Sequence, residues 1–406
     1  MELLKNIKRG VVIMKNKKIL VVYPHNFLQG LHGTNMNIYQ LLKIFKEINY
    51  DVDVFAYEGF TPDSNFSNFN EQNKEGLVNK LHLYDFRKSR KISKSSIIKK
   101  IKNRIKFKNE NHLQDWTNQE VQDFFDKVTY ENEYDIVIIT YSYLANLIIK
   151  TKNKVNYKKI YYMIDSMFLQ QYLWDKKTNK KLTLGKLMDE ELERLKNFDE
   201  FFCVSNDEKI FYEKLLEKKM YFIPHFSDNK KYTLDLSNEK KWDIFFIGFN
   251  NPFNVEGLNW FLEEVYSYLD KNLKILLVGS ATNNIKKSYS NVDIIQYVPD
   301  LEEIFKNIKV SICPMFRGTG IKIKVVESME KGIPIVCTER GVDGLPDKTE
   351  CGCLVTENPK EFAEYINKLV KDKDFYDETS EKIKKYYDKI FDREKHIKLI
   401  EKVLAQ

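Results

Sequence analysis

An α/β chain of two doubly wound domains is the fold this sequence predicts, on three observations. Its 406 residues exceed what one hydrophobic core ordinarily organises, so two domains of about 200 residues follow. Short, near-continuous apolar runs alternate with amphipathic helical periods through the second half, and the first half repeats the theme less regularly. None of these runs approaches the roughly 20 residues of a membrane span. Continuously apolar strands separated by helices mean a parallel sheet covered on both faces.

Taken in order, KKILVVYPH (17–25) reads as the first strand, followed by a helix with Ile38, Leu41, Leu42 and Phe45 on one face. Further strands read at DVDVFAY (51–57), YDIVIIT (134–140), KIYYMID (159–165), EFFCVS (200–205) and MYFIPH (220–225). Asp51 and Asp53 fall in an alternating strand, where both side chains are expected to point outward as solvated charges. Residues from about 60 to 115 are poorly patterned and read as an insertion. A hinge is expected after Pro224, in SDNKKYTLDLSNEKK, dividing an N-terminal domain (1–227) from a C-terminal one (228–384).

The second half supplies strands at WDIFFIG (242–248), KILLVG (274–279), VDIIQY (292–297), VSICP (310–314), IPIVC (333–337) and CLV (353–355). Helical periods lie between them: Leu258, Phe261, Leu262, Val265 and Leu269, then Leu301, Ile304, Phe305 and Ile308. The last segment, 385–406, is helical and expected to pack back on the first domain. No repeat of solenoid period is visible.

Composition narrows the class further. With 43% apolar residues, 27 Phe and 24 Tyr, the chain can fill two cores and does not read as disordered. The N-terminus lacks the apolar core and small-residue cleavage site of a secretory signal. The five cysteines are odd in number and scattered, and the CxC of Cys351 and Cys353 has no second pair to complete a zinc site. A reducing cytoplasm is the expected compartment. The net charge of +7 is unevenly spread: between Arg87 and Lys108 stand eleven Lys or Arg and no acid. A solvated basic face, an anionic membrane surface engaged with help from Ile97, Ile98, Ile101 and Ile105, and nucleic acid are the three readings of that segment. Nucleic acid ranks last, because no recognisable nucleic-acid module accompanies the charge.

The stretch richest in chemistry is RGTGIKIKVVESMEKGIPIV (317–336). It leaves a strand at Pro314, passes Gly318 and Gly320, and enters a helix whose apolar face carries Val325, Val326 and Met329. Glycines there let the amides of residues 318–321 (Gly318, Thr319, Gly320, Ile321) approach a phosphate, and the helix N-terminus adds partial positive charge. Lys322 and Lys324 bring full charges to the same place, and Glu327 can accept hydrogen bonds from vicinal ribose hydroxyls. Together these describe a nucleoside diphosphate site. An ordinary glycine-rich strand-to-helix turn with solvated lysines is the alternative that spacing alone leaves open. No Walker-type phosphate loop, nucleophile elbow, HExxH or paired-cysteine motif is present, which argues against ATPase, serine hydrolase and metalloenzyme chemistry.

This stretch resembles the nucleotide-sugar signature of the retaining family-four glycosyltransferases of the GT-B fold. It is closest to the variant GxGxKxKxxExMxxGxPVV, matched by Gly318, Gly320, Lys322, Lys324, Glu327, Met329, Gly332 and Pro334. The resemblance implies two Rossmann-like domains facing a central cleft, with Glu327 on the donor ribose and Lys322 or Lys324 on its diphosphate. Many relatives carry a second glutamate eight positions earlier, where Thr319 stands here. IGFNNPFNVEGLNWF (247–261) is similar to the start of the family's second domain and places Gly248 near the phosphates. Phe249 and Asn251 are neutral where several relatives have Arg and Lys, which shifts the charge onto Lys322, Lys324 or Arg317. IIQYVPDLEEIF (294–305) is similar to the base-reading segment, making Tyr297, Val298 and Pro299 base contacts. In the first half, PHNFLQGLHGTNMNIYQLL (24–42) resembles the first strand-to-helix loop. There Gly30 and Gly33 would pass close to the donor phosphates, and His25, His32 and Asn35 would meet the acceptor. Asp165 matches an acidic position common in relatives, with helix capping an equal claim on it.

The activity so implied is transfer of a sugar from a UDP- or GDP-sugar to an acceptor hydroxyl, with retention, without a metal or bound cofactor, in bacterial surface glycan synthesis. Partners would be the nucleotide sugar, a glycan, glycolipid or glycoprotein acceptor, and an anionic membrane surface reached through the basic segment. Two rivals remain: a non-hydrolysing nucleotide-sugar epimerase, and a degenerate GT-B subunit that binds or chaperones a glycosylated partner.

Overall fold

Runs such as Ile19–Val22 and Ile136–Ile139 are apolar at every position because both faces of their sheet are covered, and all eight residues are buried. The computed structural model describes residues 17–29, 33–89, 112–153, 156–176, 181–226, 240–298 and 301–406. Its strands are β1 Lys18–Val22, β2 Asp51–Glu58, β3 Lys80–Asp85, β4 Ile136–Ile139, β5 Lys158–Met163, β6 Glu200–Cys203 and β7 Met220–Phe222. These are followed by β8 Trp242–Ile247, β9 Ile275–Val278, β10 Val292–Ile295, β11 Ile308–Cys313, β12 Ile335–Cys337 and β13 Leu354–Val355. One sheet runs β3-β2-β1-β4-β5-β6-β7 and the other β10-β9-β8-β11-β12-β13. The chain divides into two compact units, Met1–Tyr162 with Asp189–Glu200, and Met163–Met188 with Phe201–Gln406.

The longer helices, in chain order, are α1 Thr34–Glu47, α2 Gln119–Asn132, α3 Met167–Asp175, α4 Leu184–Leu195, α5 Asn206–Leu216 and α6 Pro252–Trp260. They continue with α7 Ile323–Glu330, α8 Pro359–Lys371, α9 Lys373–Ile390 and α10 Arg393–Ala405. Local chemistry sets several of their starts. Asn251 accepts from the Phe253 and Asn254 amides ahead of Pro252, and Asn358 caps α8 in the same way ahead of Pro359. In α10, His396 stacks on Phe226 with ring centroids 5.6 Å apart.

In the second sheet all five strand pairs are parallel, with Ile244 opposite Val310 and Ile275. Successive residues of β8 serve opposite layers. Ile244 and Phe246 pack with Leu258, Phe261, Phe362 and Ile366, whereas Phe245 and Ile247 pack with Ile304, Phe305 and Ile333. Burying both layers is what fixes the strand register, since a one-residue slip would exchange them.

Three expectations change. Ile308 is not on a helix: the helical turn spans only Glu302–Lys306, and Ile308 opens β11 opposite Trp242. The segment read as a patternless insertion contains β3, whose residues pair with β2 from Asp53–Lys80 to Glu58–Asp85. Because β2 therefore lies between two strands, Asp53 is not a solvated charge. It is 1% exposed, accepts from the Tyr134 hydroxyl at 2.7 Å, and lies 3.5 Å from the Lys18 ammonium and 3.4 Å from His82. Burial opposes its ionisation, but the hydrogen bonds from His82 and Tyr134 and the charge of Lys18 outweigh that and hold its pKa below the ordinary value.

Candidate functional site

Chain direction sets a switch point where β8 and β11 lie side by side: the connection from β8 leads to β9 on one flank and that from β11 to β12 on the other. At such a switch point the loops beyond the carboxyl ends of the strands diverge and leave a crevice. The loop after β8 begins at Gly248 and the loop after β11 carries Gly318 and Gly320. Close packing here depends on missing side chains. A Cβ on Gly257 of α6 would sit 2.0 Å from the Pro314 carbonyl oxygen, and one on Gly248 would be 2.9 Å from Phe246. Gly318 (φ 134°) and Gly320 (φ 66°) adopt backbone conformations that side chains disfavour, which lets the chain turn from strand into α7 within a few residues.

Lys322 occupies the N-cap position of α7, and its side chain is buried, 6% exposed. Its ammonium donates to the carbonyls of Gly320 at 2.9 Å and Thr319 at 3.2 Å, so it lies along the loop rather than in solvent. Lys324 donates to Asn254 Oδ1 at 2.8 Å and lies 4.9 Å above the Phe246 ring. Burial, with a smaller push from Lys322, lowers its pKa. Glu327 is one turn further along the same helix face. Burial first, then the charge of Glu330, raises its pKa to about 7. No hydrogen bond to its carboxylate is made by any described residue, although Lys324 and Lys331 act on it electrostatically. The turn thus presents two cations, a carboxylate with open acceptor capacity and the amides of residues 318–321.

Two carboxylates that nothing in the glycine-lysine motif assigns to this loop also reach it. The Thr319 hydroxyl donates to Asp165 Oδ1 at 2.9 Å, and the Gly320 amide donates to Glu208 Oε1 at 2.8 Å. Glu208 also accepts from the Ser205 hydroxyl. Burial raises the pKa of both acids. The start of α5 is tied to the next loop as well: the Asn206 amide donates to the Gly344 carbonyl, and Asp207 accepts from the Gly344 amide, each at 2.9 Å. Glu208 was legible in one respect only. The S-x-x-E of Ser205–Glu208 is the spacing of a helix-capping box, and nothing in sequence says that its carboxylate turns toward residue 320.

Other residues singled out from sequence have these places. Arg317 makes two 2.8 Å bonds to Glu256, so its charge is already matched. Tyr297 is 74% exposed after β10, and Val298 packs partly on the Phe245–Ile308 layer. His25 accepts or donates at Nδ1 with Thr61 at 3.0 Å and Ser64 at 3.1 Å, and burial lowers its pKa to about 4, keeping it neutral. Asn35 is 4% exposed, and its Oδ1 accepts from the Tyr23 hydroxyl at 2.7 Å. Gly33 precedes α1 with φ 49° and open space where a Cβ would be. Gly30, His32, Pro299 and the basic run from residue 90 onward lie outside the described residues; Arg87 pairs with Glu58 at 2.9 Å. Among the described residues no group of three or more His, Cys, Asp or Glu is placed to hold a metal, and no helix is long and apolar enough to cross a membrane.

Comparison with known proteins places this geometry in context. Residues 241–372 match the family model described as glycosyl transferases group 1. An uncharacterized 44.6 kDa protein in the cps region of Klebsiella pneumoniae is 26% identical over 271 residues, 60% of this chain. The chain spans 64% of the length of that curated relative. Among solved structures, sucrose-phosphate synthase from Thermosynechococcus elongatus superposes with a TM-score of 0.67 at 14% identity, covering 96% of this chain and 99% of that one. Anabaena HepE, solved in complex with UDP and glucose, gives a TM-score of 0.64 at 12% identity over 96% and 100% of the two chains. Residues 241–372 are therefore similar to the group 1 glycosyltransferases, in a chain with the GT-B fold of two parallel-sheet, Rossmann-like domains.

Proposed function

We propose that the chain transfers a sugar from a UDP- or GDP-sugar to an acceptor hydroxyl, retaining anomeric configuration and using no metal, in the assembly of a surface glycan. The observation that carries this reading is the turn into α7, where buried Lys322 and half-buried Lys324 accompany a glycine-rich backbone and Glu327 keeps its acceptor capacity. That HepE was solved with UDP and glucose, and that the Klebsiella relative belongs to a cps region, supports the donor and the glycan role respectively.

Charge is the chemical difficulty of such a transfer. As the glycosidic bond to the diphosphate lengthens, the sugar becomes oxocarbenium-like and the leaving group gains negative charge. Fixed donors that meet this charge are worth about 3 kcal/mol each in a water-poor site. Lys324 is suited to meet it, because burial destabilises its ammonium and an arriving phosphate would restore a favourable environment. Glu327, when ionised, would accept from the two ribose hydroxyls and fix the nucleotide's orientation. The leaving phosphate would take the acceptor proton, so no enzymic nucleophile is required.

The test is a screen of UDP- and GDP-sugars for acceptor-dependent turnover, with the anomeric configuration of the product read by NMR. Retained configuration and a loss of about 10²-fold or more in Lys324→Ala support the proposal. Product of inverted configuration, or full turnover in both Lys322→Ala and Lys324→Ala, would refute it.

A further inference from the structure

The Gly320 amide is one of the groups expected to hold the donor's diphosphate, and it is already engaged. It donates at 2.8 Å to Glu208 Oε1, a carboxylate delivered from the first turn of α5. An amide carries one hydrogen and cannot serve a carboxylate and a phosphate oxygen fully at once. We propose that Glu208 is an internal acceptor that occupies the Gly320 amide until the donor's diphosphate displaces it, so that donor affinity is set by competition with this side chain. The inference rests on the nucleotide-sugar reading above and deepens it.

Three features argue for displacement rather than coexistence. Charge is the first: Asp165 and Glu208 both meet the loop, and among the groups acting on Glu208 the cation is Lys322, whose ammonium is already shared between the Thr319 and Gly320 carbonyls. Burial favours the neutral form of both acids, and a diphosphate arriving at Gly320 would repel either one that is ionised and compete with both for the loop's donors. The second is the lever. Glu208 sits at the third position of α5, and Ser205 caps the helix by accepting from the Glu208 amide at 3.4 Å. The cap belongs to Ser205, so the Glu208 side chain can rotate away without unwinding α5. The third is geometry at Gly320 itself. A Cβ there would lie 2.8 Å from Asp165 Oδ1 and 3.1 Å from the Ile164 carbonyl, so Gly320 packs closely on the residues after β5, whereas Glu208 reaches it on a flexible side chain.

The experiment uses the full chain and calorimetric titration with UDP, GDP and the matching nucleosides, uridine and guanosine, on wild type, Glu208→Ala and Glu208→Gln. The diphosphate that binds wild type should bind Glu208→Ala about tenfold tighter, the scale of one charge-assisted hydrogen bond, with Glu208→Gln between them. The nucleoside should bind all three proteins alike, since it lacks the competing phosphate. Unchanged or weaker diphosphate binding in both variants overturns the proposal while leaving the transferase reading intact, as does an equal gain for the nucleoside. Failure of wild type and variants alike to bind any diphosphate overturns both. Hydrogen exchange at Gly320 gives a ligand-free readout: it should quicken in the variants, and unchanged exchange shows that no such contact exists to be displaced. Should Glu208→Ala not fold, as judged by its melting transition, the isosteric Glu208→Gln carries the same comparisons.

Discussion

Glu327 combines a site role with a cost to stability. Burial raises its pKa to about 7 from an ordinary 4.5, so the folded protein binds more protons than the unfolded chain between those values. Stability must therefore fall as pH rises from about 4.5 to about 7, by an amount on the order of 1–2 kcal/mol after allowing for its partial exposure. Glu327→Gln should abolish that slope and melt higher than wild type at pH 8, with the two converging near pH 4; thermal melts across this range check it. The same variant should bind nucleotide more weakly, because a neutral amide is a poorer acceptor for ribose hydroxyls. Lys324 follows a parallel logic with opposite charge. Its ammonium is destabilised by burial, so Lys324→Met should keep or raise the melting temperature while donor turnover falls about 10²-fold. A Lys324→Met protein that instead melts far below wild type would mark that residue as structural. Both residues were legible in sequence as charges after a glycine turn. The surroundings of Lys324 were not, because they depend on Phe246 and Asn254, some 70 residues earlier in the chain.

At the scale of elements, the site is held by helix α6 lying against the end of β11. Gly257 touches the Pro314 carbonyl so closely that Gly257→Ala must push the helix off the strand end. It should destabilise the protein by about 3 kcal/mol, seen as a lower urea midpoint, and weaken donor binding with it. The motif around Gly318 and Gly320 was readable because it is local: strand, two glycines, two lysines and an amphipathic helix follow one another without a gap. The contribution of α5 was not. Asp165 and Glu208 reach the loop from 154 and 112 residues away, a pairing set by tertiary fold rather than by spacing. Arg317 shows the converse failure. Its position in the motif suggested a phosphate contact, but Glu256 on the facing helix already holds it with two bonds.

For the whole molecule, alternation of apolar strands with helices was enough to foresee two parallel sheets, since a strand apolar at every position has to be covered twice. Where pattern failed in the first sheet, an edge was involved. β3 lies at the margin of its sheet, with only Leu81, His82 and Leu83 in the middle of a polar run, and it escaped notice. Asp53 was misread for the same reason, since its partner His82 belongs to that strand. If the turn into α7 binds a nucleoside diphosphate, the ligand should stabilise the protein by about 2.7 kcal/mol at a hundred times its dissociation constant. Calorimetric titration of UDP and of GDP into wild type and into Lys322→Ala, Lys324→Ala and Glu327→Ala puts that nucleotide site to the sharpest trial. Saturable binding of one diphosphate to wild type, weakened in all three variants that still fold, is the expected result. Binding of neither diphosphate, or equal binding by all four proteins, would contradict it.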